Sequence, residues 1–316
     1  MKQSVNSPTG SILCVRWWIA PNDIQIKGTV QICHGMAEHS GRYDRFARAL
    51  NQAGYHCVAH DHRGHGETEL NAPAESVTGS LGANGGLKLA ADDIGFVSSL
   101  IGDKYPGKQI LLGHSMGAIL ALYFSCQSKA ESHDAVAFWN SIFDDGFDLK
   151  IYRLILAVEG TLFGWQSPSR IAPKLTFRKW NREFAPNRTD YDWLSRDTAE
   201  VDKYVQDPKC GFPSTTQLWY DVSKAVKFCG TDSSLDRLPK TLPVNLLGGQ
   251  ADPCSKHGSA MLKLCHRMKT AGMSDVVCQI KPEARHETLN ELNRDEATQE
   301  FIDWLDQRFG KDLGNH

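Results

Sequence analysis

A G-x-S-x-G pentapeptide, residues 113–117, lies between the apolar run QILL and the apolar segment AILALYF. The short run bounded by glycine predicts a buried strand, and the segment after it predicts a helix. Two glycines permit a sharp strand-to-helix turn, which holds a serine hydroxyl above the edge of a sheet. The pattern therefore predicts an α/β fold in which Ser115 is a candidate nucleophile.

Short apolar runs alternate with amphipathic segments on both sides of this turn. Residues 28–35 resemble a buried strand, and residues 43–54 have apolar side chains at helical spacing before a glycine. This β-α alternation predicts a mostly parallel sheet with helices on both faces. Further strands are predicted at 11–20, 56–61, 109–115, 135–141, 242–249 and 275–282, and further helices at 86–107, 116–127, 255–272 and 294–310.

Strand patterns are absent between residues 144 and 230. Four tryptophans lie there among charged, helix-compatible segments: Trp165, Trp180, Trp193 and Trp219. We expect a helical cap at 144–230, inserted between a first core part at 1–143 and a second core part at 231–316.

A serine nucleophile needs a base, and the base needs a carboxylate that orients it. In α/β folds of this kind the order along the chain is Ser, acid, His. Asp252 follows the apolar run at 242–249, and His286 follows the last predicted strand. Asp252 can also be a helix N-cap, and His286 can be a surface-loop histidine. We expect both to be catalytic.

Two backbone N–H groups must bind the negative oxygen of an acyl-transfer intermediate. One is expected from Met116, and the other from Met36, which follows the His34-Gly35 pair at the end of a strand. Glu38, His39 and Arg42 either line the alcohol end of the site or form a helix-start cluster that holds the loop, which is the favoured interpretation. The candidate substrate-binding residues are Gly35, Glu38, His39, Arg42 and His114.

Three histidines form an H-x-H-x-x-H pattern: His60, His62 and His65. A metal-binding H-x-H-x-D-H pattern needs aspartate at position 64, where this chain has Gly64. We expect no metal here. The favoured interpretation is a tight turn in which glycines adopt positive φ, and in which Asp61 and Arg63 bond neighbouring backbone.

Composition narrows the classes of partner and compartment. The chain has 316 residues, a net charge of −2 and no long basic run, so no nucleic-acid partner is expected. Nine cysteines without CxxC pairs, and an N-terminus without an apolar leader, indicate reduced thiols in the cytoplasm. No cofactor is expected, because acyl transfer by such residues needs none.

The segments HGMAEHSGRY, AHDHRGHGET, GHSMG, GQADP and RHETLNE together resemble serine hydrolases of the α/β-hydrolase superfamily, in the group of monoacylglycerol lipases and bacterial lysophospholipase-like proteins. Residues 188–212 also resemble the cap of bacterial lysophospholipases. The resemblance implies Ser115 as nucleophile, Asp252 and His286 as its relay, and the N–H groups of Met36 and Met116 as oxyanion donors. It also implies a small lipid ester as substrate and an acyl-enzyme intermediate.

Six apolar residues of the cap lie near helical spacing: Ile151, Leu154, Ile155, Val158, Leu162 and Phe163. The favoured interpretation is that they pack the cap onto the body. The resemblance suggests instead an acyl tunnel, or a lid that touches a membrane transiently.

Other functions remain open at this stage. They are a short-chain carboxylesterase, a serine aminopeptidase and a non-catalytic interaction protein on the same fold. An aminopeptidase needs acidic cap residues to hold a free amino group, and Glu159, Asp190, Asp192 and Glu200 are available. The sequence does not predict an oligomeric state.

Overall fold

The computed structural model describes residues 1–70, 77–83, 85–127, 133–144 and 146–310. Its eight strands form one sheet in the order β1-β2-β4-β3-β5-β6-β7-β8. The strands are β1 (Lys2–Asn6), β2 (Ile12–Trp18), β3 (Gly28–Cys33), β4 (Tyr55–His60), β5 (Gln109–His114), β6 (Ala135–Trp139), β7 (Val244–Gly249) and β8 (Val276–Lys281).

Twelve α-helices lie within these described ranges. They are α1 (Asp44–Gln52), α2 (Gly66–Leu70), α3 (Gly86–Lys104), α4 (Met116–Gln127), α5 (Phe147–Phe163), α6 (Ala172–Leu175), α7 (Phe177–Arg182), α8 (Thr198–Gln206), α9 (Thr216–Cys229), α10 (Asp232–Leu235), α11 (Ser259–Thr270) and α12 (Arg294–Phe309). No helix of the described residues has both the length and the apolar character needed to cross a bilayer.

The sheet is parallel from β4 to β8 and antiparallel only at β1 and β2. The predicted α/β class, a mostly parallel sheet flanked by helices, is therefore confirmed. Strand β1 was not predicted, because its sequence KQSVN is polar and four of its five residues are exposed. It pairs with β2 at the sheet edge through its backbone.

Helices cover both faces of the sheet. On one face, α1 and α12 pack against the strands around Phe46, Trp139 and Phe301. On the other face, α3, α4, α9 and α11 share a larger apolar cluster that includes Leu120 and Met261. Because parallel strands end at the same edge, this packing brings the loops after β3, β5, β7 and β8 together.

Helices α5 to α10 lie between β6 and β7. Helix α9 joins two environments: Leu218 and Val222 belong to the apolar cluster around α4, whereas Trp219 packs with Leu156 of α5 and Ala172 of α6.

The favoured interpretation of the apolar residues of α5 was wrong. Five of the six are exposed, namely Ile151, Leu154, Val158, Leu162 and Phe163, and Ile155 is partly buried. The face that packs inward carries Leu156, Glu159 and Gly160 instead. A Cβ on Gly160 would lie 2.6 Å from the Trp165 ring, so this face approaches its neighbour too closely for a larger side chain.

Candidate active site

Ser115 occupies a strained turn between β5 and α4. Its φ is 55°, a left-handed value that is uncommon for a residue other than glycine. The flanking glycines are required by close packing: a Cβ on Gly113 would lie 2.4 Å from the Gly117 carbonyl oxygen, and one on Gly117 would lie 2.1 Å from the Cys33 carbonyl oxygen. The turn thus presses against the end of β3 and presents the serine hydroxyl at the sheet edge.

A hydrogen-bonded chain joins the three predicted catalytic side chains. His286 Nε2 lies 2.9 Å from Ser115 Oγ, and His286 Nδ1 lies 3.0 Å from Asp252 Oδ1. Asp252 and His286 are almost completely buried. The structure therefore brings together residues that are 171 and 34 positions apart in the sequence.

Asp252 is held in its ionised form. Burial alone would raise the pKa of its carboxyl, but the nearby imidazole of His286 and hydrogen bonds from His286, Ser255 and the Cys254 N–H hold the pKa below its ordinary value. An ionised carboxylate at this position fixes the Nδ1–H tautomer of the imidazole, which leaves Nε2 free to accept a proton from Ser115.

The loop after β3 lies against the serine turn. A Cβ on Gly35 would lie 3.3 Å from Ser115 Cβ, and the Gly35 N–H donates to Glu38 Oε1 at 2.6 Å. Met36 lines the cavity at Ser115. Among the hydrogen bonds of the described residues, none engages the N–H of Met36 or of Met116. These N–H groups are available to a ligand oxygen.

His34 fixes the peptide that carries the Met36 N–H. The His62 N–H donates to His34 Nε2 at 2.9 Å, so Nε2 has a lone pair and the proton lies on Nδ1. His34 Nδ1 then donates to the Gly35 carbonyl oxygen at 2.8 Å. In a planar trans peptide this carbonyl and the Met36 N–H point in opposite directions. The imidazole therefore sets the direction of the N–H.

The cavity at Ser115 is narrow, and the segment between β6 and β7 forms part of its wall. Its lining includes four aromatic side chains of that segment, and its volume is about 20 Å³, which is room for about one water molecule. The Trp193 ring lies 4.7 Å from that of His286, between their centroids. The four aromatic residues are Phe177, Tyr191, Trp193 and Tyr204.

A larger pocket of about 590 Å³ adjoins this cavity. The two share Phe177, Tyr191 and Tyr204 as lining residues, so these rings separate them. Phe163 and Trp219 supply further aromatic surface to the larger pocket.

The comparison with known proteins identifies the family. The sequence pattern of the family Hydrolase_4, described as serine aminopeptidase, S33, matches residues 24–293. The chain belongs to this family. It is 28% identical to the monoglyceride lipase of Homo sapiens over 305 residues, which cover 95% of this chain and 88% of that protein.

One further sequence relative and one solved structure are also similar to this chain. The monoacylglycerol lipase of Mycolicibacterium smegmatis is 25% identical over 292 residues, or 90% of this chain and 89% of that protein. The crystal structure of a carboxyl esterase from Bacillus coagulans in complex with glycerol has a TM-score of 0.87 at 21% identity and covers 97% of this chain and 98% of that chain. The predicted resemblance to monoacylglycerol lipases and the predicted α/β-hydrolase fold are confirmed.

The predicted substrate-binding residues of this Hydrolase_4 member separate into two groups. Gly35, Glu38 and His114 line the cavity at Ser115, whereas Arg42 and His39 are not among its lining residues. His39 caps the 3-10 helix at Ser40–Tyr43 by accepting the Gly41 N–H.

Arg42 lies in a buried ionic cluster behind the cavity. Its guanidinium contacts Glu38 at 2.7 Å and Glu287 at 2.5 Å. Burial would raise the pKa of Glu38, but Arg42 and His114 hold it well below the ordinary value. His114 Nε2 lies 3.0 Å from the carbonyl oxygen of His286, so the cluster also contacts the loop that carries the candidate base.

The histidine rings at the end of β4 and in the turn after it, at 60, 62 and 65, are buried and pack against one another. Gly64 and Gly66 have the predicted positive φ, at 71° and 53°. Asp61 accepts the N–H groups of Ser40 and Glu67 at 2.8 Å each, as expected. The expectation for Arg63 was wrong: its guanidinium binds side chains, Asp93 at 2.8 Å and Thr9 at 2.7 Å.

Two groups of side chains in the described ranges have ligand atoms close enough together for a metal ion, and neither includes the histidines at 60, 62 and 65. One is Asp252, Cys254 and His286, of which Asp252 and His286 belong to the hydrogen-bonded chain to Ser115. The other is His39, Asp207 and Cys210. His39 Nδ1 accepts the Gly41 N–H, so Nε2 carries the proton toward Asp207 and has no lone pair for a metal.

Several residues of the site were missed by sequence reasoning. Trp193, Tyr204 and Phe177 are single aromatic residues in a helical segment, and nothing in their spacing indicates which of them reach Ser115. Asn140 was missed as well: it lies after β6, where the predicted strand ends, and its side chain accepts from Thr288 at 2.9 Å beside Asp252. A polar residue at the end of a parallel strand was the available signal.

Proposed function

We propose that this protein is a serine hydrolase that cleaves carboxylic esters of monoacyl lipids through an acyl-enzyme intermediate. The observation that carries the proposal is the continuous hydrogen-bonded chain from Ser115 through His286 to Asp252, next to two free backbone N–H groups.

Acylation begins as Ser115 Oγ attacks the ester carbonyl carbon and His286 Nε2 takes the hydroxyl proton. The carbonyl oxygen becomes an oxyanion that accepts hydrogen bonds from the N–H groups of Met36 and Met116. Asp252 stabilises the imidazolium. When the carbon–oxygen bond to the alcohol breaks, His286 gives its proton to the leaving oxygen. The products of this step are a free alcohol and an acyl-Ser115 ester.

Deacylation repeats the same steps with water as the nucleophile. His286 takes a proton from the water as the water oxygen attacks the acyl carbon, and returns it to Ser115 Oγ as the acid leaves. All proton transfers use one imidazole, so the chemistry needs no further titratable group.

The relatives support a monoacyl lipid as the substrate. Proteins named monoglyceride lipase and monoacylglycerol lipase match 95% and 90% of this chain. The pocket of about 590 Å³ beside the cavity carries Phe163, Phe177 and Trp219, the kind of apolar lining that suits an acyl chain. Monoacylglycerols and lysophospholipids both fit this description.

An aminopeptidase activity is less well supported, because none of the four acidic residues named for it lines the cavity at Ser115, although Asp190 lines the larger pocket. Glu159 is buried and accepts bonds from Ser169 and the Arg170 N–H, and Glu200 pairs with Arg45. The two carboxylates that do line the cavity at Ser115, Glu38 and Glu287, both bind Arg42. A substrate ammonium group would have to compete with that guanidinium.

We further propose the division into a core at 1–143 and 231–316 and a cap at 144–230, with α9 joining the two. The exposed apolar face of α5 suits transient contact with a membrane surface that holds lipid substrate. Phe147, Leu154 and Leu162 are 73%, 65% and 68% exposed. At the end of this face, Phe163 lines the larger pocket together with Arg170 and Arg178, which gives a lipid a short path inward.

A cytoplasmic location is part of the same proposal. All nine cysteines, each within the described ranges, are free thiols, which a reducing compartment maintains.

The assignment of Ser115 is tested with Ser115→Ala on p-nitrophenyl butyrate and on a long-chain monoacylglycerol. We expect both activities to fall by about a thousandfold or more, because the nucleophile is lost. The matched control is Ser99→Ala, since Ser99 is an exposed serine that bonds only the Gly95 carbonyl oxygen within α3. Wild-type rates in Ser115→Ala would refute the proposal.

The membrane contact is tested with the double variant Leu154→Ser, Leu162→Ser. We expect weaker binding to phospholipid vesicles and slower hydrolysis of a monoacylglycerol embedded in them, because apolar area is lost from the contact face. Hydrolysis of dissolved p-nitrophenyl butyrate serves as the control for the intact site. Unchanged vesicle binding would contradict the contact.

A further inference from the structure

Ala37, next to the candidate oxyanion donor Met36, is held in a strained conformation by groups from the cap. Its φ is 55°, in the left-handed region that costs an alanine energy. Its carbonyl oxygen accepts two hydrogen bonds, from Tyr204 Oη at 2.9 Å and from the Gly211 N–H at 2.9 Å. Both donors lie more than 160 residues along the chain from Ala37, on α8 and the loop that follows it.

The two donors form a fixed unit. The Gly211 N–H also donates to Tyr204 Oη at 3.1 Å, so the tyrosine hydroxyl accepts one bond and donates the other. Tyr204 is 5% exposed, and its ring packs against the Arg42 guanidinium at 4.8 Å. Gly211 has φ 68°, and a Cβ there would lie 2.7 Å from Tyr191 Oη. These contacts fix the positions of both donors.

The body of the protein fixes the start of the same loop. Glu38 accepts the Gly35 N–H, and His34 donates to the Gly35 carbonyl oxygen. These contacts fix the orientation of the peptide group between Gly35 and Met36. The peptide after Ala37 is the one whose carbonyl oxygen the cap holds, so the backbone on the two sides of Met36 and Ala37 is fixed by different parts of the molecule.

We propose that Tyr204 is a positioning residue that keeps Ala37 in its strained conformation and so keeps the Met36 N–H aimed at the oxyanion. The inference rests on the proposed function and deepens it. The oxyanion site is complete only while α8 and its following loop are seated on the body. Displacement of this segment to admit substrate loosens the donor loop, and its return restores the donor.

The test is Tyr204→Phe, which removes the hydroxyl and keeps the ring on Arg42. When the Met36 N–H is mispositioned in this way, the oxyanion site binds the transition state less tightly, whereas substrate binding changes less. We expect kcat on a monoacylglycerol to fall by about tenfold with KM changed by less than about twofold. We also expect an alkyl trifluoromethyl ketone, which forms an oxyanion on Ser115, to bind about tenfold more weakly, and an alkyl glycerol ether, which forms none, to bind as before.

The matched control is Tyr55→Phe. Tyr55 Oη donates to Asp306 at 2.9 Å, so this variant loses a tyrosine hydrogen bond of the same length at a distance from the site. We expect wild-type kcat and ketone affinity. A folded Tyr204→Phe protein with wild-type kcat and ketone affinity overturns the proposal, as does an equal loss of ketone and ether affinity. Neither result touches the proposed function, which Ser115→Ala decides separately.

Discussion

The imidazole of His34 links the turn after β4 to the loop after β3. It accepts the His62 N–H from the turn after β4 and donates to the Gly35 carbonyl oxygen in the loop after β3. Burial and the neighbouring His65 lower its pKa to about 3, so it stays neutral and keeps both bonds at physiological pH. A protonated ring would have a second N–H facing the His62 N–H, and the link would be lost.

The His34 link predicts a loss of activity without a loss of the triad geometry. His34→Leu removes both hydrogen bonds, so we expect kcat on p-nitrophenyl butyrate to fall by about tenfold to a hundredfold, as for a weakened oxyanion donor. His34→Gln, whose amide can donate and accept, should retain more activity than His34→Leu. Fluorophosphonate labelling of Ser115 should persist in both variants.

His60→Leu is the matched control for this prediction. His60 is fully buried, and neither of its ring nitrogens has a hydrogen-bond partner in the described structure. We expect near-normal kcat in this variant. Equal losses in His60→Leu and His34→Leu would show that the cluster acts through packing alone.

Ser115, Asp252 and His286 could be predicted because each follows an apolar run that reads as a strand, and parallel strands end at one edge. Tyr204 and Trp193 could not. Tyr204 bonds a carbonyl 167 residues away, and the Trp193 ring packs on His286, 93 positions away. Such contacts depend on how the segment between β6 and β7 packs on the rest of the chain, which no local pattern encodes.

At the scale of elements, the β5–α4 turn depends on the absence of a side chain at Gly117. A Cβ there would lie within 2.5 Å of the carbonyl oxygens of both Cys33 and His34, which are backbone atoms that cannot rotate away. The strand end and the helix start must therefore separate if anything larger than glycine is present.

Gly117→Ala is accordingly expected to lower the free energy of unfolding by about 3 kcal/mol and to abolish most esterase activity. Urea unfolding followed by tryptophan fluorescence measures the first, and p-nitrophenyl butyrate hydrolysis the second. The control is Gly102→Ala in α3, where the nearest atom to the new Cβ is the end of the Gln109 side chain. That variant should gain about 0.5–1 kcal/mol. Equal stability of the two variants would contradict the packing argument.

The buried histidines of the β3 and β4 turns predict sensitivity to acid. Burial lowers the pKa of His34, His60, His62 and His65 from the ordinary 6.5. Below pH 6.5 the unfolded chain therefore binds more protons at these sites than the folded chain does. The free energy of unfolding therefore decreases as the pH is lowered, by about 1.4 kcal/mol per pH unit for each histidine that is still neutral in the folded state.

Thermal unfolding between about pH 6.5 and about pH 5 measures this slope in a range above the ordinary carboxyl pKa values. We expect Tm to fall steadily across it, and to fall less steeply in His60→Leu, which has one fewer buried imidazole. Equal slopes for the two proteins, or a Tm independent of pH, would contradict the assignment of neutral buried histidines.

Helix α5 illustrates the limit of prediction for elements. Its helical spacing was evident in the sequence, but the orientation of its apolar face was not, since a stripe at this spacing looks the same whether it meets the body or the solvent. The inward face carries Leu156, Glu159 and Gly160, of which only one is a large apolar residue.

For the whole molecule, the small size of the cavity at Ser115 implies that substrate entry requires movement. The cavity at Ser115 has about 20 Å³, whereas the adjoining pocket has about 590 Å³. An ester bound in the pocket reaches the hydroxyl only if the rings shared by the two spaces shift. Phe177, half-buried and in contact with Trp180, Trp193 and Trp219, is one of them.

Phe177→Ala should therefore join the two spaces. We expect kcat/KM for long-chain monoacylglycerols to rise severalfold relative to that for p-nitrophenyl acetate, because less displacement is needed for a long acyl chain. A series of glycerol monoesters from two to eighteen carbons, about a dozen compounds, measures this. Phe228→Ala, which loses a ring in edge-to-face contact with Tyr123 away from both spaces, is the control. A flat chain-length profile that is identical in both variants would contradict the gate.

The mostly parallel sheet, the helices on both faces and the helical segment between β6 and β7 were predicted from β-α alternation and its interruption, which are patterns that extend over many residues. The antiparallel β1 was not predicted, because its residues are mostly polar and exposed; it pairs with β2 through its backbone, and Lys2 also pairs with Glu67. The position of the segment between β6 and β7 on the rest of the chain was not predicted either, because pairs such as Arg45–Glu200 and Arg196–Glu291 link residues far apart in the sequence.

The central claim, that Ser115 is the nucleophile activated by His286, is tested most directly by peptide mass spectrometry after reaction with an alkyl fluorophosphonate. The account predicts one adduct, on Ser115, formed quickly in the wild type and at least about a hundredfold more slowly in His286→Ala. An adduct on another residue, or equal labelling rates in the two proteins, would contradict it.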